Sequence, residues 1–358
     1  MENGRHTLLS FGHSPGALLP TLMIFITLAI AAVPCSIGCS SGESFSSDLP
    51  AVFTRDAAQG GGDVLETPVD IQIREPGLHG REGRTRADDW WLVRRLDLFV
   101  FNDDGILSLD SYTRSYAYSA TAFTVHSSSG EKVVVAIANH AFPDEVVTGI
   151  HSYADLCRES ACFTDDHPSW PVMSGETAFT AGPGHSCSVV LEPLMSSIEL
   201  KSLKCRMEGG AQLRNVRVYL TGVSNRAEIL RGTDFLPSET LNNGGLSETD
   251  LGRLAYSGMV YKYLGNGKAD AGGTTYGSAV LYCYPNEAEA ESFASPFTRL
   301  VVEGTLDGKT CYYPIPVNRS AFSDAGAEGI GRNRRYVFDL TLTRPGTGSP
   351  DEDVLSPP

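Results

Sequence analysis

Apolar residues form one long block near the start of the chain and afterwards appear only in short runs or in alternation with polar ones. The block is Leu18 to Val33 (LLPTLMIFITLAIAAV). Further on, Val69, Ile71 and Ile73 alternate with Asp70, Gln72 and Arg74, which predicts a short strand with one buried face. Leu96 to Phe101 runs into the turn cluster Asn102-Asp103-Asp104-Gly105 and resumes at Ile106-Leu107. Lys132 to Ala138 (KVVVAIA) is apolar on both faces, as expected of a strand in the middle of a sandwich. Ile150, Tyr153 and Cys157 have helical spacing and predict one short helix.

Beyond Gly182-Pro183-Gly184 the runs Cys187 to Leu191, Ser197 to Leu203, Val216 to Val223 and Gly277 to Tyr284 predict further strands. Asp307-Gly308, between Arg299 to Leu306 and Lys309 to Val317, marks a hairpin, because both turn residues tolerate positive φ. Tyr336, Phe338, Leu340 and Leu342 alternate with Val337, Asp339, Thr341 and Thr343. Strands at this density imply an all-β chain of two tandem β-sandwich domains, spanning 87–182 and 183–345.

The first apolar block is shorter than the roughly 20 residues a membrane-spanning helix needs and has the length of a signal-peptide core. Residues 1–38 are accordingly read as a leader. Cys39 follows Ser36-Ile37-Gly38 and precedes Ser40-Ser41-Gly42, the setting in which a lipoprotein signal is cut and its Cys acylated; Pro34 weighs against Cys35. Ser36 stands where Leu is usual, and Arg5 is the sole Lys or Arg ahead of the block, so plain cleavage to a soluble product is the alternative. Residues 39–86 then hold a Gly-rich tether (Ala57 to Asp63), the strand at Val69, and a loop in which Gly77, Gly80 and Gly83 accompany Arg81, Arg84 and Arg86. Residues 346–358, rich in Pro, Gly, Ser and acid, are expected to be disordered. The net charge of −15 excludes a nucleic-acid partner, which would need a basic footprint.

Little in the chain suggests catalysis. Gly12-His13-Ser14-Pro15-Gly16 fits the nucleophile-elbow pattern but lies in the leader, without a strand before it. Asn102-Asp103-Asp104-Gly105 lacks the spaced acids and closing Glu of a calcium loop and reads as a hairpin turn. The eight His are scattered, and Asp165-Asp166-His167 reads as a solvated loop. No enzyme activity, metal or cofactor is expected. Six Cys follow Cys39, at 157, 162, 187, 205, 283 and 311. Cys283 and Cys311 sit in predicted strands flanked by tyrosines; a disulfide between them and a pair of buried free thiols are both open.

Several stretches in order resemble one family. They are Thr85-Arg86-Ala87; Leu96 to Gly105 (LDLFVFNDDG); Val133 to Asn139 (VVVAIAN); Met173-Ser174-Gly175; Tyr282 to Pro285 (YCYP) with Tyr312 to Ile315 (YYPI); and Arg332-Asn333 followed by Tyr336 to Gly346 (YVFDLTLTRPG). Together they resemble the Bacteroidales fimbrillins, subunits of the type V pilus. The resemblance implies transthyretin-like sandwiches, lipoprotein export to the outer membrane, and a cell-surface fimbrium assembled with other fimbrial subunits. It further implies that an Arg-specific protease cuts between Arg86 and Ala87, that the edge strand bearing Val69, Ile71 and Ile73 leaves, and that a neighbour's strand takes its place. Gly346 to Asp353 is followed only by Val354-Leu355-Ser356-Pro357-Pro358, too short for the family's donor strand, which implies a terminal (tip or anchor) or minor subunit. The competing expectation is a non-polymerising surface lipoprotein that binds a glycan or host protein through loops bearing Trp90, Trp91 and Trp170.

Overall fold

The computed structural model describes residues 53–56, 67–74, 92–116, 122–231, 239–319 and 329–351, all within the unit Leu49–Pro358. The first ten strands are β1 (Phe53–Asp56), β2 (Thr67–Arg74), β3 (Leu96–Asn102), β4 (Leu109–Ser115), β5 (Ala122–Ser127), β6 (Gly130–Ala138), β7 (Ser160–Cys162), β8 (Met173–Ala181), β9 (Ser186–Val190) and β10 (Glu192–Pro193). Six of them form a large sheet in the order β1-β4-β3-β6-β8-β10, and three form a small sheet in the order β5-β2-β9. The side-chain period of two decides what lies between these sheets. Leu96, Leu98 and Val100 of β3 and Val134, Ala136 and Ala138 of β6 turn one way, onto Val69, Ile71, Val125 and Val189 of the small sheet.

The other face of the large sheet is equally apolar, so the run at Lys132 to Ala138 is covered on both sides as its sequence predicts. Phe99, Phe101, Val135 and Ile137 pack there with Phe142, Val147, Ile150 and Leu156. Val147 belongs to α1 (Asp144–Gly149) and Leu156 to α2 (Tyr153–Leu156), two single-turn helices in place of the one predicted. Asp97 shares this face, fully buried. Its carboxylate accepts from Arg114 Nε and Arg95 Nε, each at 2.8 Å, and from the Tyr112 hydroxyl.

The later strands are β11 (Ser196–Cys205), β12 (Arg214–Thr221), β13 (Val223–Ser224), β14 (Arg226–Glu228), β15 (Thr240–Leu241), β16 (Tyr261–Gly265), β17 (Lys268–Asp270), β18 (Gly273–Tyr276), β19 (Ala279–Cys283), β20 (Arg299–Leu306), β21 (Lys309–Pro316) and β22 (Arg335–Leu342). β11 is flanked by β18 and β19 along one side and by β22, parallel to it, along the other. A second sheet runs β16-β12-β20-β21. The β20–β21 turn is the predicted Asp-Gly hairpin, with φ of 48° at Asp307 and 79° at Gly308. The Asn102–Gly105 segment is a turn after β3, in which Asp104 Oδ1 accepts the backbone N–H groups of Ile106 and Ser108.

Three further features of the fold depart from the sequence expectation. β9 pairs with β2 and β10 with β8, so the boundary at 182/183 falls inside the first pair of sheets, and the change of sheets comes after Pro193. Gly182-Pro183-Gly184 is a tight turn, closed by the His185 N–H on the Gly182 carbonyl, and has only the composition of a linker. Residues 346–351, expected to be disordered, include an ordered contact: Thr347 exchanges two backbone hydrogen bonds with Tyr312 on the outer edge of β21.

The third departure is Asp166, which is 2 % exposed where a solvated loop was expected. Its carboxylate accepts from the N–H groups of His167 (2.7 Å) and Val172 (3.0 Å) and from Tyr284 Oη (2.9 Å), which follows β19 in the later sheets. Burial pushes this carboxyl from 3.8 up to about 7. Between those values the folded chain holds a proton that the unfolded chain has released, so the Asp166 contribution to stability falls as pH rises, by at most about 1.4 kcal/mol per unit. His140, pushed down by burial to about 4, opposes this between its unfolded value of 6.5 and 4. Thermal unfolding of Asp166→Asn beside the unaltered chain isolates the first effect. The difference between the two melting temperatures is expected to shift in favour of the unaltered chain as pH drops from 7 to 5, and equal slopes would contradict the assignment.

Candidate functional site

The strand singled out by its alternation, β2, lies between two neighbours. It runs antiparallel to β5, with Val69 opposite Val125 and Ile71 opposite Phe123, and parallel to β9, with Ile71 opposite Cys187 and Ile73 opposite Val189. The expectation of an edge strand is therefore corrected: the edges of this sheet are β5 and β9, and β2 is its middle. Alternation reports which side chains face inward and carries no information on how many ladders the backbone joins.

Val69 and Ile71 are fully buried and Ile73 half-buried, while Asp70 and Gln72 face outward. Asp70 Oδ1 accepts from Thr124 Oγ1 of β5 at 2.8 Å. Burying each of the two apolar side chains contributes about 1.5–3 kcal/mol. If β2 left, it would expose two facing rows of unpaired N–H and C=O groups above an apolar floor made by Leu98, Val100 and Val134. A replacement strand would have to run antiparallel to β5 and parallel to β9, which fixes its direction. It would also need apolar residues at every second position, since a slip of one residue turns the whole apolar set outward.

The walls of this slot are tied to the large sheet. On the β9 side, a Cβ added at Gly175 of β8 would lie 2.0 Å from the Val190 carbonyl oxygen, so only glycine permits the approach. Thr177 Oγ1 donates to the Ser188 carbonyl at 3.0 Å beside it. On the β5 side, Ser127 Oγ donates to Asp110 Oδ2 at 2.7 Å. Gly175→Ala is expected to push β9 outward and destabilise the chain by about 1–3 kcal/mol, the usual cost of overpacking. Urea unfolding checks it, and an unchanged midpoint would contradict the close packing.

β1 was not anticipated, because Phe53-Thr54-Arg55-Asp56 has no alternation to signal it. It pairs antiparallel with β4 at the edge of the large sheet, from Phe53 opposite Arg114 to Asp56 opposite Ser111. Residues on both sides of the predicted cut are thus placed in strands: β1 and β2 precede it and β3 follows it. Cys39, Arg86 and Ala87 themselves lie outside the described residues, as do Trp90 and Trp91.

Cys283 and Cys311 are both buried free thiols. Cys283 sits on β19, which pairs with β11, and Cys311 on β21, which pairs with β20, so the two thiols belong to different sheets. Trp170 is engaged within the chain: His167 stacks on its ring with centroids 3.7 Å apart, and the Arg94 guanidinium lies 3.3 Å from its centroid. Among the described residues no group of three His, Cys, Asp or Glu side chains is placed to hold a metal ion.

No family model matches the chain. Among curated proteins it is similar to the major fimbrium subunit FimC of Porphyromonas gingivalis, 23 % identical over 351 residues that cover 94 % of this chain and 69 % of that protein. Among solved structures it is similar to a fimbrilin of P. gingivalis, with a TM-score of 0.54, 16 % identity, and 80 % of this chain and 92 % of that one covered. It is also similar to a tip fimbrial protein of the same species, with a TM-score of 0.51, 11 % identity, and 76 % and 94 % covered. Sequence similarity along nearly the whole chain to a fimbrium subunit, and a fold held in common with a fimbrilin, support placing the chain in the fimbrillin superfamily.

Proposed function

We propose that the chain is a structural subunit of a cell-surface fimbrium, assembled by exchange of β2 for a strand of a neighbouring subunit. One observation carries the reading: β2 lies in the middle of its sheet, hydrogen-bonded along both sides, yet β2 and the β1 segment before it are joined covalently to β3 and the strands after it only through residues 75–91. That connection contains the Gly-rich, Arg-bearing stretch in which an Arg-specific protease would cut between Arg86 and Ala87. A strand freed there takes no part in the remaining covalent scaffold, and the slot it leaves binds an incoming strand by both backbone pairing and apolar burial. Acylation at Cys39 would hold the uncut precursor at the outer membrane.

A terminal or minor place in the filament is the finer part of this proposal. It is supported by residues 346–351, whose Thr347 is bound to Tyr312 of the same chain instead of being held out for a neighbour.

Incubation with an Arg-specific protease tests the proposal. A single cut near Arg86 followed by SDS-resistant oligomers is the expected result, and Arg86→Ala should stay uncut and monomeric. A cut chain that remains a stable monomer would overturn the assembly reading and favour a surface-binding lipoprotein.

A further inference from the structure

Lys132 is a lysine that the fold has taken out of water: its side chain is 2 % exposed. Fully buried lysines are rare unless paired. It stands on β6 directly opposite Asn102 of β3 in antiparallel register, so the two side chains share the inner face of the large sheet. Lys132 Nζ lies against Asn102 Oδ1, 2.5 Å from Ser128 Oγ and 3.3 Å from Asp110 Oδ2. The carboxamide is fixed from its other end, where Asn102 Nδ2 donates to Ser108 Oγ at 3.0 Å. Asp110 is fixed as well, accepting from Ser127 Oγ, Ser128 N–H and Ser128 Oγ. An amine, a carboxamide and a carboxylate therefore converge at one end of the apolar core, each held by other groups.

We propose that Lys132 and Asn102 are joined by an intramolecular isopeptide bond, with Asp110 as the proton carrier. Asp110 takes one proton from the ammonium and frees the amine, whose lone pair adds to Asn102 Cγ. A second proton passes from Nζ to Nδ2 as the Cγ–Nδ2 bond breaks. Ammonia leaves and picks up the proton held on Asp110, so the carboxylate is regenerated and no oxidant or reductant is consumed. Burial of the Lys132 side chain holds the amine out of bulk water, and fixing the reactants in contact supplies the orientation such a slow reaction needs.

The bond staples β3 to β6, the two middle strands of the large sheet. Ser127, which holds Asp110, is also the register partner of Thr67, the first residue of β2, so the staple lies at one end of the slot. It would hold the floor of the slot together under tension whether or not β2 is ever exchanged.

Mass spectrometry of the folded, purified chain, reduced and denatured before measurement, decides the matter. The expected mass is one ammonia below that of the sequence, and protease digestion should yield a branched peptide joining residues 102 and 132. Asp110→Ala and Lys132→Arg are each expected to restore the full mass and the two linear peptides. Full sequence mass in the unaltered chain, with both linear peptides present, would overturn the proposal even if neither variant folds. A branched peptide persisting in Asp110→Ala would overturn the role given to Asp110.

Discussion

Ile71→Ala is expected to destabilise the uncut chain by about 2–5 kcal/mol while leaving the assembled filament unaffected. The side chain is fully buried among Leu98, Val125, Val134 and Val189, and truncation leaves a cavity that the facing strands can close only in part. In the uncut chain the loss appears as a lower urea midpoint. If β2 departs during assembly, residue 71 departs with it, and filaments grown from the variant should melt like those of the unaltered protein. The asymmetry matters more than the magnitude. An ordinary core substitution weakens precursor and polymer alike, whereas one on an expendable strand weakens only the precursor. Equal destabilisation of both would mean that β2 stays in place.

Asp97→Ala is expected to cost about 3–5 kcal/mol, the usual result of removing one partner from a buried ionic group. Arg114 is 6 % exposed and would lose its carboxylate on β3, retaining Asp144 Oδ1 at 2.6 Å and the Phe142 carbonyl at 3.2 Å. Burial also keeps the Tyr112 hydroxyl, which donates to Asp97, protonated well beyond its ordinary range, so it cannot substitute as a counter-charge. Unlike Ile71, Asp97 belongs to the part of the fold that remains after cutting. Its loss should therefore weaken precursor and filament equally in chemical denaturation. Adding Arg114→Met should recover part of the stability, because the orphaned charge goes with it. No recovery in the double variant would contradict the pairing.

The elements that the sequence made legible are those whose burial is decided locally. Alternation at Val69 to Arg74 and Tyr336 to Leu342, the doubly apolar run at Lys132 to Ala138, and Asp307-Gly308 all correspond to strands or turns at those places. Legibility ended where a distant residue decides the outcome. The triplet Asp165-Asp166-His167 reads as solvated, yet Asp166 is buried because Tyr284, 118 positions later, reaches it. β9 reads as part of the second half, since nothing in Ser186–Val190 records that its partner is β2. The alternation of β2 marked it as half-buried, and only the fold shows it in the middle of its sheet. That difference doubles the number of ladders a replacement strand would complete. The Lys132–Asn102 pair was equally invisible, because register across β3 and β6 is a property of the sheet and leaves no trace in either strand alone.

Assembly by strand exchange requires that β2 be expendable and its slot be refilled. The most direct measurement is a peptide inventory of oligomers formed after Arg-specific cutting, separated from released fragments before digestion. Strand exchange requires that peptides covering residues 67–74 be found among the released fragments and be missing from the oligomers, which would begin at Ala87. Oligomers that retain residues 67–74 in equal amount to β3 would show the slot still occupied by the chain's own strand and would contradict it.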